Sequence, residues 1–250
     1  MAYDSTNPFV VADAAPAERA QFYRRTYAHV AGAFLAWGAL LALFFASGLA
    51  APIAKFIFGL GQLGMLLVML GLGVATTLAQ TMAFSRSSKG TQYAGLALAV
   101  LAEAVLFVPL ILMVVLMGAK GGMITSDDLL TSAKSVFMPA LLTTGLLIGG
   151  LTATVFMTQK DFSFLRTVVL IGSFAALGVI IAAVIFGISL GFWFSLAMVA
   201  LMGAAILYQT WQIKDQASPD QHVGAATALF ISFVTLLWYV IMLFAGRRED

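Results

Sequence analysis

A chain of 250 residues that is 62% hydrophobic and only 10% charged departs from the ordinary soluble domain, in which about a quarter of residues are charged. Its mean hydropathy of +1.01 marks a polytopic membrane protein, and a formal net charge of +2 gives no electrostatic case for nucleic acid. With no cysteine, structural disulfides, thiolate metal sites, Fe–S ligation and thiol catalysis are excluded.

Unbroken apolar runs of about 20 residues are long enough to cross a bilayer as helices. Seven such runs predict an all-α, polytopic transmembrane bundle spanning residues 28–245, with no room for a soluble domain. Residues 1–27 form a mostly polar tail. Within it, Ala17 to Tyr27 reads as a short interfacial helix, with Arg19, Arg24 and Arg25 near headgroups and Phe22 and Tyr23 at the boundary. The first span, Ala28 to Leu49, exceeds the apolar region of about 7 to 15 residues found in a cleaved signal peptide, so it is read as retained. The second span is Gly61 to Phe84 and the third Thr91 to Met117. A linker, Gly118 to Ser135, contains Gly121-Gly122 and Asp127-Asp128. It is too short for a core and caps the bundle, and its aspartates are either a weak cation site or simply solvated. Val136 to Thr158, Thr167 to Ile188 and Leu190 to Thr210 follow. The last two are separated only around Ser189, between Gly187 and Gly191, which predicts a tight antiparallel hairpin. Val223 to Ala245 is the seventh span, and residues 246–250 are a short charged tail.

Lys and Arg in the connecting segments set the expected orientation. Eight of the 13 fall on the N-terminal side and five opposite, so the N-terminus is expected in the cytoplasm.

Glu103 is the only formally charged residue inside any of the seven runs, near the centre of the third. A charged side chain at a bilayer midplane costs roughly 2.5 to 3.5 kcal/mol on the insertion scale, so a partner inside the protein or a proton must offset it. Its own helix face carries Leu96, Ala99, Val100, Leu106, Phe107 and Leu110, so any partner must come from another span. At about 1.5 Å per residue the third run outlasts a hydrocarbon core of about 30 Å, and it is expected to tilt or to bend at Pro109.

Other polar features have quieter readings. Gly32 with Gly38, Gly71 with Gly73 and Gly145 with Gly149 suit close packing of helices within the chain, with a dimer face as the alternative. Thr143, Thr144, Thr152, Thr154 and Thr158, like Thr76, Thr77 and Thr81 near Gln80, either bond their own helix carbonyls or line a hydrated cavity. His29 and His222 sit at two span mouths, as interfacial hydrogen-bonding residues or as pH sensors. No H-E-x-x-H, no G-x-S-x-G and no aspartate within a span is present, so no enzyme activity is expected and no cofactor or metal is implied.

Several segments together resemble one family. Thr26-Tyr27-Ala28-His29-Val30-Ala31-Gly32 opens the first span. Gly150 to Phe156 runs into Lys160-Asp161-Phe162-Ser163-Phe164-Leu165, and Ile206-Leu207-Tyr208-Gln209-Thr210 lies in the sixth span. Ala228-Leu229-Phe230 and Trp238-Tyr239 lie in the last. From about Arg19 to Phe244 the chain resembles the Bax inhibitor-1/YccA family of seven-helix membrane proteins. That resemblance implies a bundle wrapped around a central last helix, and a cation (calcium) leak that a pair of aspartates makes pH-dependent. The first aspartate position here is Gln209, between Tyr208 and Thr210, and the second is Ser232. Two close carboxylates titrate together and can hold a divalent cation, whereas an amide and a hydroxyl are expected to form a neutral hydrogen bond without a pH response. Bacterial relatives of the YccA type imply instead a modulator of the membrane protease FtsH, active in stress responses.

Two functions follow as expectations. One is a bundle in a bacterial plasma membrane that passes a cation such as calcium, or a proton, with Glu103 as the protonatable group and Gln209 and Ser232 lining the central helix pair. The other is a non-transporting interaction protein whose tail, Met1 to Gln21, and loops engage a membrane protease complex. A transporter built on inverted repeats is disfavoured by the odd span number.

Overall fold

Where no water is available to backbone N–H and C=O groups, a chain spans lipid only as helices or as a closed barrel. In the computed structural model, which describes residues 10–86, 88–118, 131–158 and 160–246, the apolar runs are helical apart from a few residues at their ends. The linker aspartates Asp127 and Asp128, the first nine residues and the C-terminal tail lie outside the described residues. In chain order the helices are α1 (Pro16–Ala46), α2 (Ala50–Gly59), α3 (Gly61–Ala83), α4 (Lys89–Gly118), α5 (Met138–Met157), α6 (Leu165–Phe186), α7 (Gly191–Asp215) and α8 (His222–Gly246). A single π turn, Ala133–Phe137, leads into α5, and a 3₁₀ turn, Val11–Asp13, precedes α1. All but α2 are long and apolar enough to cross a membrane.

Two local expectations are corrected. The interfacial segment Ala17 to Tyr27 is not a separate helix, because α1 runs unbroken through Tyr27. Pro16 starts it at a position where a missing N–H costs nothing. The connection between the first and second apolar runs, for which the sequence predicts no element, is the helix α2, whose ten residues cover about 15 Å, too short to span. Ala50, Ala54 and Ile57 form its buried stripe.

The α6–α7 hairpin forms as expected. Gly187 takes the left-handed conformation (φ 66°, ψ 29°), and Ile188 N–H donates back to the Ala183 carbonyl at 2.9 Å. A residue with a Cβ is disfavoured there, which is why glycine stops this helix cleanly.

At the centre stands α8, buried almost continuously from Val223 to Leu237 and in contact with α1, α3, α4, α5 and α7. Lipid provides no hydrophobic drive between helices, so close packing must hold them. Aromatic rings do much of this. Trp37 of α1 meets Phe107 of α4 (centroids 4.8 Å), Phe107 meets Trp238 of α8 (5.5 Å), and Phe34 meets Phe230 (5.3 Å). Edge-on geometry of this kind suits the ring quadrupoles.

The glycines that permit close approach are not those the spacing suggests. A Cβ on Gly32, Gly38, Gly71, Gly73, Gly145 or Gly149 would meet nothing within 4 Å, and all six are exposed on the outer faces of their helices. Gly172 and Gly224 are crowded by the side chains of Leu201 and Phe84, and Gly95 is crowded by backbone, where a Cβ would fall 2.5 Å from the Ala79 carbonyl oxygen and 2.6 Å from the Ala83 nitrogen. It lets the backbones of α3 and α4 touch. Exposed Leu63, Leu67 and Val74 on α3, and Val168, Ile171 and Phe174 on α6, form the apolar outer surface appropriate to lipid contact.

Candidate functional site

Glu103 lies fourteen residues into α4, about 21 Å from its start, and is only 5% exposed. It faces the protein interior. Ala99, Val100, Ala102, Ala104 and Phe107 around it are all buried. Among the described residues its carboxyl has neither an ion-pair nor a hydrogen-bond partner. One further polar group is close in sequence: Pro109 has no N–H, so the Val105 carbonyl loses its helical donor. The neighbourhood of Glu103 therefore holds a carboxyl and an under-bonded carbonyl in an apolar wall.

Ser232 is also buried, and Gln209 is half-buried with its Oε1 shielded and without a hydrogen bond. The amide–hydroxyl hydrogen bond expected between Gln209 and Ser232 does not form. Register explains this: Gln209 is six residues from the end of α7, whereas Ser232 is ten residues into α8. Across a short antiparallel connection their heights differ by about one helical turn, roughly 6 Å. Nor does Glu103 hydrogen-bond to either. The three residues are separate polar points along the central helices rather than one bonded cluster.

A second group of buried polar atoms lies nearer the N-terminal face. Thr26 Oγ1, Tyr27 OH, Thr152 Oγ1 and Thr210 Oγ1 are buried without hydrogen bonds, and the Tyr27 and Thr152 hydroxyls approach without closing one. Buried polar atoms without partners are uncommon and mark places where polar ligands or water are stabilised. In α3, by contrast, Thr76 and Thr77 donate to the Gly73 carbonyl and Thr81 to the Thr77 carbonyl, each at 2.9 Å. Those hydroxyls are satisfied within their own helix.

Lys160, Asp161 and Phe162 form the turn between α5 and α6. The Asp161 carboxylate accepts the Ser163 N–H at 2.7 Å, and the Phe162 carbonyl accepts the Leu165 N–H at 3.0 Å. Asp161 and Phe162 thereby start α6. The neighbouring residue that sequence reading missed is Lys214, whose Nζ donates to the Val155 and Thr158 carbonyls, each at 3.0 Å. It closes the C-terminal end of α5, where the helix dipole favours a cation. His29 and His222, read as separate span-mouth residues, meet with ring centroids 5.2 Å apart. No group of three His, Asp or Glu side chains suited to a metal ion occurs among the described residues.

Against known proteins, residues 19–249 match the family model described as inhibitor of apoptosis-promoting Bax1. The uncharacterized protein PA2604 of Pseudomonas aeruginosa is 33% identical over 122 residues, covering 48% of this chain and 54% of that protein. The match thus spans about half the length of each. No solved structure matches the chain.

Proposed function

This chain belongs to the Bax inhibitor-1 family of membrane proteins, and from that premise we propose that it passes a slow flux of cations or protons across a bacterial plasma membrane. One observation carries the reading: a carboxyl at mid-helix depth, 5% exposed, with no partner among the described residues. Carboxylates at membrane depth are costly and usually line ion or proton pathways. Glu103 takes up and releases the proton or cation. The buried oxygens of Gln209, Thr210 and Thr26 offer polar stations toward the N-terminal face, taken here as cytoplasmic. Because Gln209 and Ser232 are neutral, the pathway works without a carboxylate pair. Flux into proteoliposomes, compared between wild type and Glu103→Gln, tests the proposal.

The neutral pair also supports a second reading, a non-transporting modulator of FtsH. Co-purification from native membranes tests it. Val11 N–H donates to the Ala217 carbonyl at 2.8 Å, so the described part of the Met1 to Gln21 tail runs beside the α7–α8 connection, which supports a contact of this kind there.

A further inference from the structure

His29 on α1 and His222 at the start of α8 share the wall of a cavity of about 210 Å³ with Arg25, Lys89, Gln92 and Tyr93. The pairing follows from topology. Both histidines begin odd-numbered spans, so they lie on the same face, and the contact between α1 and α8 brings them together.

Everything charged on this wall is positive. Arg25 and Lys89 contribute full charges, no Asp or Glu among the described residues lines the cavity, and Asp220 on the preceding loop is exposed. Two long helices, α4 from Lys89 and α8 from His222, also begin here, and each brings a partial positive charge and first-turn N–H groups without helical acceptors. Ser88 Oγ caps α4 by accepting the Thr91 N–H at 3.0 Å. For α8 the corresponding side chain is turned away, since Gln221 Oε1 accepts the Ser218 N–H instead.

The His29 ring is held at both nitrogens, whereas His222 Nδ1 has no hydrogen bond. His29 Nδ1 lies 2.7 Å from the Arg25 carbonyl, which can only accept, so Nδ1 carries the proton. Nε2 then accepts the Tyr93 O–H at 2.9 Å. His222 Nδ1 is buried without a hydrogen bond, although the Pro219 carbonyl bears on the ring. Gln92 is held in place by donating Nε2–H to the Ser85 carbonyl at 2.8 Å.

A cation is repelled by this wall. A compact anion with several acceptor oxygens meets charges and donors from three helices at once, which is the general logic of phosphate sites at helix N-termini. At about 30 Å³ per water the cavity has room for roughly seven, enough for a phosphate group. It lies where the apolar part of α1 begins, next to the charged residues that flank the span. We propose that this cavity binds a phosphate anion, presented either by an anionic phospholipid headgroup or as free phosphate.

The test uses the full chain in detergent micelles. Inorganic phosphate is titrated calorimetrically, and retention of phosphatidylglycerol after delipidation is read by native mass spectrometry. The variants are Arg25→Gln with Lys89→Gln, and His222→Gln. Arg166→Gln, at an exposed position outside the cavity, is the control. For whichever probe binds, the double variant is expected to bind about tenfold or more weakly, His222→Gln to weaken it measurably, and Arg166→Gln to leave it unchanged. Binding of phosphate alone assigns the free anion, and binding of the lipid alone assigns the headgroup. Binding of neither probe by wild type overturns the proposal, as does an equal loss in Arg166→Gln. Should the double variant fail to fold, unchanged binding by His222→Gln overturns it just as well.

Discussion

Lys214 ends α7 with its ammonium aimed at two carbonyls that close α5. In sequence it is one of several positive charges on the N-terminal side, and nothing in its neighbours predicts a fixed partner 56 to 59 positions away. Lys214→Met keeps the apolar stem and removes the donors, so it is expected to lower stability by about 1–3 kcal/mol. Lys160→Met, at an exposed position, is expected to change little. Thermal unfolding in detergent checks both, and equal midpoints for the two variants would contradict the assigned contact. Glu103 was legible in a different way. A lone carboxylate in an apolar run announces itself, but its surroundings depend on how α4 rotates within the bundle.

That rotation is the main thing the sequence conceals at the scale of elements. In water, a helix shows its buried face by alternating with a polar one, whereas in lipid both faces are apolar and the contrast disappears. Glycine spacing therefore marked Gly32, Gly71 and Gly145, which face outward, and passed over Gly95, where α3 and α4 touch. Gly95→Ala is expected to cost about 1–3 kcal/mol, because the obstacles are backbone atoms that cannot move alone. Gly32→Ala, with nothing within 4 Å, is expected to stay within about 0.5 kcal/mol of wild type. Unfolding midpoints measured side by side decide this; a harmless Gly95→Ala would mean that the two helices are farther apart. The helix α2 escaped sequence reading for a related reason, since ten apolar residues are too few to announce a span.

At the scale of the whole molecule the seven spans and the α6–α7 hairpin were legible, because length and apolarity alone decide them. Charge asymmetry adds an orientation that tests directly, and a chain without cysteine makes the test clean. With the N-terminus in the cytoplasm, Ser163→Cys is expected to resist a membrane-impermeant maleimide in intact cells, and Ser189→Cys to react. The reverse pattern would invert the bundle. The proposed flux rests on the buried Glu103 carboxyl, and the most direct measurement is ion flux in proteoliposomes. Wild-type protein is expected to pass calcium or protons above the empty-vesicle rate, and Glu103→Gln, inserted at equal density with an unchanged unfolding midpoint, to pass markedly less. No flux from wild type, or equal flux from the variant, would contradict it.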